Sequence, residues 1–191
     1  MSIHMSSRER KAIEKAQELL RKKNYDAAII ILEQLNVNNY GPAADLLGIL
    51  YENGIGVSKN LDKAIEFYAK SREEGSPMGA YHLGLGLYKQ GKYLEALNIL
   101  GSLSDANPSA AFWSYRSAKK IESSPNRNST AEVFLTKSSK MGHFGAKTVI
   151  ASRYINGEHG YLMMPLGYLL KIKIFVHGLI NLARGEKLKL Y

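Results

Sequence analysis

The chain has 191 residues, 45% of them hydrophobic, and a formal net charge of +9. That apolar share is ordinary for a globular protein and argues against general disorder. With no cysteine, the sequence excludes disulfides, thiolate zinc sites, iron–sulfur clusters and a cysteine nucleophile.

Residues 1–15 are polar and charged, and no apolar run follows early enough to read as a secretory signal. A cytoplasmic protein is therefore expected. The first pair of helices is expected over 7–22 and 25–35, with capping-box spacing at Ser6-x-x-Glu9. The second pair, 42–53 and 61–74, opens at Pro42 and closes at Gly54 and Gly75. The third, 77–90 and 92–103, opens at Ser76-Pro77 and turns at Gly91. A fourth, 108–122 and 129–141, follows Asn107-Pro108 and a second capping-box spacing at Ser129-x-x-Glu132. The fifth, 144–156 and 166–184, follows Gly142 and is interrupted at Gly157. Proline suits the first helical turn, where its missing N–H costs nothing, and glycine tolerates the left-handed closing residue.

The pairs repeat. Tyr51-Glu-Asn-Gly54 recurs as Tyr88-Lys-Gln-Gly91 and as Tyr154-Ile-Asn-Gly157. Independently, the segment from Ala64 to Gly75 aligns without gaps with that from Ala131 to Gly142. Small residues at Ala44, Gly48, Ala64, Ala80, Gly84, Ala96 and Ala110 would let the helices of a hairpin approach closely. Leu47, Tyr51, Phe67, Tyr68, Leu83 and Tyr88 would fill the seam. One hairpin cannot cover its own apolar face, so stacking is expected.

These residues carry a family resemblance. Ala44-x-x-Leu47-Gly48-x-x-Tyr51-x-x-Gly54-x-Gly56-Val57, followed by Asp62-Lys63-Ala64-x-x-Phe67-Tyr68 and Gly75, resembles a full Sel1-like repeat. Tyr25-x-x-Ala28-x-x-x-Leu32 and Tyr93-x-x-Ala96-x-x-x-Leu100 are similar to the second helix of tetratricopeptide repeats. The resemblance implies an all-α, right-handed superhelical α-solenoid of about five helix-turn-helix repeats. It covers 1–160 as the repeat domain and leaves 161–191 as a separate amphipathic, basic helix and tail. It further implies a non-catalytic scaffold or adaptor that holds a peptide or protein segment on its concave face. Asp45, Glu52, Tyr81, His82, Lys89 and Arg153 are the contact candidates, being non-seam positions on the first helices of the pairs.

No catalytic or cofactor motif competes with that reading. The five histidines, His4, His82, His143, His159 and His177, show no i, i+4 pair and no His-Glu-x-x-His. His82 falls beside the seam, and His143 and His159 fall in loops and read as surface. Gly54-Ile-Gly56 and Gly84-Leu-Gly86 do not extend to a dinucleotide fingerprint, and no P-loop or Gly-x-Ser-x-Gly occurs. Asp45, Asp62, Glu66 and Glu73 are spread around helix faces. No metal or cofactor site is read. Trp113, Tyr115 and Arg116 beside Lys119 and Lys120 could stack single-stranded nucleic acid, but as helix residues they are read as seam aromatics with cations outside. Asn128-Ser129-Thr130 matches a glycosylation sequon that a cytoplasmic chain would not use.

Positive charge is dense over 8–23 and 171–189. Solvated helix faces and a basic tail are expected there, with nucleic acid or an anionic membrane surface as the alternatives. Residues 161–183 are the most apolar part of the chain. Lys171 and Lys173 at its centre, each costing roughly 2.5–3.5 kcal/mol at mid-bilayer, argue against a span. On a helical wheel, Leu169, Ile172, Phe175, Val176, Leu179, Ile180, Leu182 and Ala183 form one arc. Lys171, Lys173, His177, Asn181 and Arg184 fall on the other side, broken into by Leu170 and Ile174. Two expectations follow. The helix caps the solenoid with its basic face outward, or it docks on an anionic membrane or a partner through Lys171, Lys173, Phe175, His177 and Arg184. The second would make the protein a peripheral component of a biosynthetic or secretion complex at the inner membrane face.

Overall fold

A computed structural model describes residues 7–121, 129–158 and 164–183. Ser6, His4, Asn128, His159 and Arg184 lie outside the described residues, as do the side chains of Leu182 and Ala183.

Every described element is an α-helix: α1 (Ser7–Arg21), α2 (Tyr25–Val37), α3 (Gly41–Asn53), α4 (Leu61–Glu73), α5 (Pro77–Lys89), α6 (Tyr93–Leu103), α7 (Pro108–Ile121), α8 (Thr130–Lys140), α9 (Phe144–Ile155) and α10 (Met164–Ala183). The ends agree with the expected ones to within two residues, because local chemistry sets them. Ser76 Oγ accepts from the Gly79 N–H at 3.2 Å, Asn107 Oδ1 from Ser109 and Ala110, and Ser129 Oγ from Glu132. Gly54, Gly75, Gly91, Gly142 and Gly157 all take positive φ, as a left-handed closing residue requires. The first two loops lack glycine, and there Lys23 and Asn39 adopt the left-handed conformation instead. His143 departs from its expected surface position. It is buried, its Nδ1 accepts from the Ala146 N–H to cap α9, and its ring stacks on Phe112 at 4.5 Å. A histidine one residue before a helix can cap it much as serine does, which the motif-based reading did not allow for.

The helices pack on their chain neighbours, α1 on α2, α2 on α3, α3 on α4, α4 on α5, α7 on α8, α8 on α9 and α9 on α10. The chain divides into two compact units, the first ending at Ile99 and the second beginning at Leu100, inside α6.

In the first unit Ile13, Leu32, Leu35, Tyr40, Leu47 and Leu50 form a continuous core. Alanines occupy the closest helix approaches: Ala16, Ala28, Ala43, Ala44 and Ala64 are fully buried. Glycine goes further. The Tyr68 ring occupies the space where Gly48 would carry a side chain, since a Cβ there would stand 2.4 Å from a ring carbon. Gly79 and Gly86 play the same part against Ser71 and Ile65.

In the second unit Leu100, Ala110, Ala111, Tyr115, Ala118, Ala131, Leu135, Ala146 and Ala151 make the core. Tyr115 is thus a core residue. Trp113 is half-buried, with the Arg116 guanidinium over its ring at 4.7 Å.

One dipeptide shows the repeat at atomic detail. Ser71 on α4 donates to the Gly41 carbonyl at the start of α3, and Ser138 on α8 donates to the Pro108 carbonyl at the start of α7, both at 2.8 Å. The preceding lysines act alike: Lys70 Nζ reaches the Asn36 carbonyl at 2.7 Å and Lys137 Nζ reaches Ser104 Oγ at 3.0 Å. In these two hairpins the Lys-Ser step on the second helix ties it to the first residue of its partner helix and to the chain just before that helix.

Candidate functional site

The first helices of two successive hairpins, α3 and α5, lie side by side. Asp45 and Glu52 are seven residues apart on α3, and His82 and Lys89 are seven apart on α5, so each pair shares one helix face two turns apart. The structure brings all four together. His82 Nδ1 lies 2.7 Å from Asp45 Oδ1, and the Lys89 ammonium bonds the Glu52 carboxylate. Both bonds join residues 37 positions apart, which is the offset that aligns Tyr51 with Tyr88. Equivalent positions of two repeats thus face one another, and one repeat carries the acids while the next carries the bases.

Tyr68 of α4 completes the cluster from beneath. Its ring is fully buried, lies 5.2 Å from the His82 ring, and its hydroxyl donates to Glu52 Oε2 at 2.6 Å. Burial alone would push the Glu52 carboxyl up. Hydrogen bonds from Lys89 and Tyr68, with the charges of Lys89 and His82, outweigh it and hold the group below the usual carboxylate range. Burial, then the bond to Glu52 and the nearby carboxylate charges, drives the Tyr68 phenol well above its ordinary value, so it remains a donor.

Of the expected contact residues on this face, Asp45 is buried, and the side chains of Glu52 and His82 are only 16% and 20% exposed. Tyr81 is buried, its ring 5.7 Å from His82. Lys89 is the member that solvent reaches best, its side chain 49% exposed. Among the described residues no group of three histidine or carboxylate side chains comes together in a way that could hold a metal ion. The sequence marks these residues singly as non-seam positions, and only the structure shows their pairing and the part of Tyr68. The signal lay in the sequence, as opposite charges one repeat apart.

Arg153 belongs to the second unit and to a different arrangement. Its guanidinium donates to Glu132 of α8 at 2.6 Å, lies 3.5 Å from Glu158, and sits 5.9 Å from the Tyr115 ring. It ties α9 to α8.

The expected C-terminal docking residues lie on α10, which packs on α9. The packing stripe differs from the expected one. Gly167 and Gly178 are buried and Leu170, Ile174 and Asn181 are half-buried. A Cβ at Gly167 would stand 2.7 Å from the Ile155 backbone nitrogen, so glycine lets the two backbones approach. The arc that a capping role would turn inward points to solvent: Leu169, Ile172, Phe175, Val176, Leu179 and Ile180 are exposed, as are Lys171, Lys173 and His177. No helix among the described residues is long and apolar enough to cross a membrane.

No family model matches the sequence, and no curated protein matches it. Among solved structures, a Sel1 repeat protein from Oxalobacter formigenes is similar, with a TM-score of 0.60 at 22% identity over 78% of this chain. The chain spans 61% of that protein's length. A protective antigen present in uropathogenic Escherichia coli strains, displaying an SLR fold, aligns with a TM-score of 0.43 at 14% identity, over 86% of this chain and 46% of the antigen.

Proposed function

From the Sel1-type helical-repeat fold, we propose that this chain is a non-catalytic scaffold or adaptor that holds a peptide or protein segment on the face formed by α3 and α5. The observation that carries the proposal is the cross-repeat polar ladder. Asp45 with His82 and Glu52 with Lys89 fix their side chains in place before any partner arrives, with Tyr68 as a buried brace. Preorganised polar groups on rigid helices lower the ordering cost of binding. Lys89, half-exposed at the end of the ladder, offers the donor for a partner's carboxylate or backbone carbonyl. Repeat scaffolds of this kind recognise partners through such grafted surface groups rather than through the fold itself.

A displayed peptide library selected on the full chain tests this. Enriched peptides should lose about tenfold in affinity for Lys89→Glu, a change of roughly 1.4 kcal/mol, under conditions where its circular dichroism shows the variant folded like the parent. Absence of enrichment, or equal binding to Lys89→Glu, would remove the α3–α5 face as the binding surface.

A further inference from the structure

The helix α10 has two unlike long faces. The inner one is narrow, made by Gly167, Gly178, Leu170, Ile174 and Asn181. At Gly167 the helix settles close to α9, a Cβ there standing 2.7 Å from the Ile155 backbone nitrogen, and the stripe uses little of its circumference. The outer one is broad and apolar. Tyr168, Leu169, Ile172, Phe175, Leu179 and Ile180 are 43–65% exposed, and at about 100° per residue they cover an arc of roughly 140°. Lys171 borders that arc on one side and Lys173 on the other, both exposed, with His177 beside Lys173. No aspartate or glutamate occurs anywhere in α10.

We infer that this outward face of α10 docks in the plane of an anionic lipid surface. The pattern selects that occupant. Apolar side chains between two lysine borders can sink to the acyl boundary while each lysine stem lies along it and its ammonium meets lipid phosphate. A second copy of the chain fits worse, since two such faces laid together would bring lysine borders against one another with no carboxylate on the helix to neutralise them. The helix lies flat rather than spanning, consistent with its central lysines. This inference is independent of peptide binding on α3 and α5.

Flotation of the full chain tests it, with vesicles of phosphatidylcholine alone and of equal parts phosphatidylcholine and phosphatidylserine. The parent chain should float with the mixed vesicles and stay behind with the neutral ones. Lys171→Gln with Lys173→Gln should weaken flotation about 25-fold, about fivefold for each lysine removed from an anionic surface. Ile172→Ser with Phe175→Ser and Leu179→Ser should abolish it, with the circular dichroism unchanged because these side chains face away from α9. The inference falls if the parent chain does not float with mixed vesicles. It falls equally if both variants float like the parent, which would move lipid binding elsewhere. A parent dimer in sedimentation that the serine variant converts to monomer, without vesicle binding, would assign the face to a second copy instead.

Discussion

Replacing Tyr68 by phenylalanine isolates the brace under the polar ladder. The ring is fully buried, fitted over Gly48 and near Gly86, and phenylalanine keeps that packing. Only the hydroxyl is lost, and with it the 2.6 Å donation to Glu52. An O–H to carboxylate bond of that length is charge-assisted, and hydrogen bonds to charged groups contribute about 1.5–3 kcal/mol. Tyr68→Phe should therefore destabilise the protein by about 1.5–3 kcal/mol at neutral pH, read from urea unfolding. The sign of the pH dependence follows from Glu52. Its carboxyl is held below its unfolded value, so its stabilisation is complete above the unfolded value near 4.5 and is lost as pH falls through the lower folded value. Tyr68 contributes to that lowering, so the gap between parent and variant should be full at pH 7 and shrink as the carboxylate protonates. A cycle with Glu52→Gln should show coupling between the two sites. A loss below about 0.5 kcal/mol, against the expected range for a charged bond, or a gap that does not change between neutral and acid pH, would refute the role given to the hydroxyl.

Gly48→Ala should cost about 1–3 kcal/mol, seen as a lower melting temperature, because a Cβ would meet the fully buried Tyr68 ring at 2.4 Å. His143→Ala should remove the cap of α9 and cost about 0.5–2 kcal/mol, while His143→Asn should restore most of it in the same melts. Ser71→Ala and Ser138→Ala should each cost about 0.5–1.5 kcal/mol, and by similar amounts, because both serines bond the first carbonyl of the paired helix. Hydrogen exchange should show each loss confined to its own hairpin, α3–α4 or α7–α8; unequal losses would deny the equivalence of the two Lys-Ser steps.

The legible and illegible parts of the molecule separate by the range of the forces involved. Helix ends were legible because proline, serine, asparagine and glycine act on the backbone within a turn. Gly54, Gly75, Gly91, Gly142 and Gly157 close helices in the sequence as in the structure. The small-residue seam was legible too, through Ala44, Gly48 and Ala64, although Gly79 emerged as a close-approach position only from the packing. His143 was misplaced because its burial comes from stacking on Phe112, which is distant in sequence, although its cap on α9 is local.

The polar ladder lies between these cases. Asp45, Glu52, His82 and Lys89 were recognised as non-seam polar positions, and the repeat offset that aligns Tyr51 with Tyr88 also aligns them. That they meet required stacked hairpins in register, since opposite charges one repeat apart have no local reason to touch.

For α10, the sequence by itself determined a helix with an apolar arc, two bordering lysines and intruding leucine and isoleucine. The tertiary structure alone decided which face α9 would take. A wheel weighs hydrophobicity, whereas packing rewards close approach of backbones. Gly167 permits that approach on the narrow side, where Gly178 is buried too, and so the broad apolar side is left to solvent.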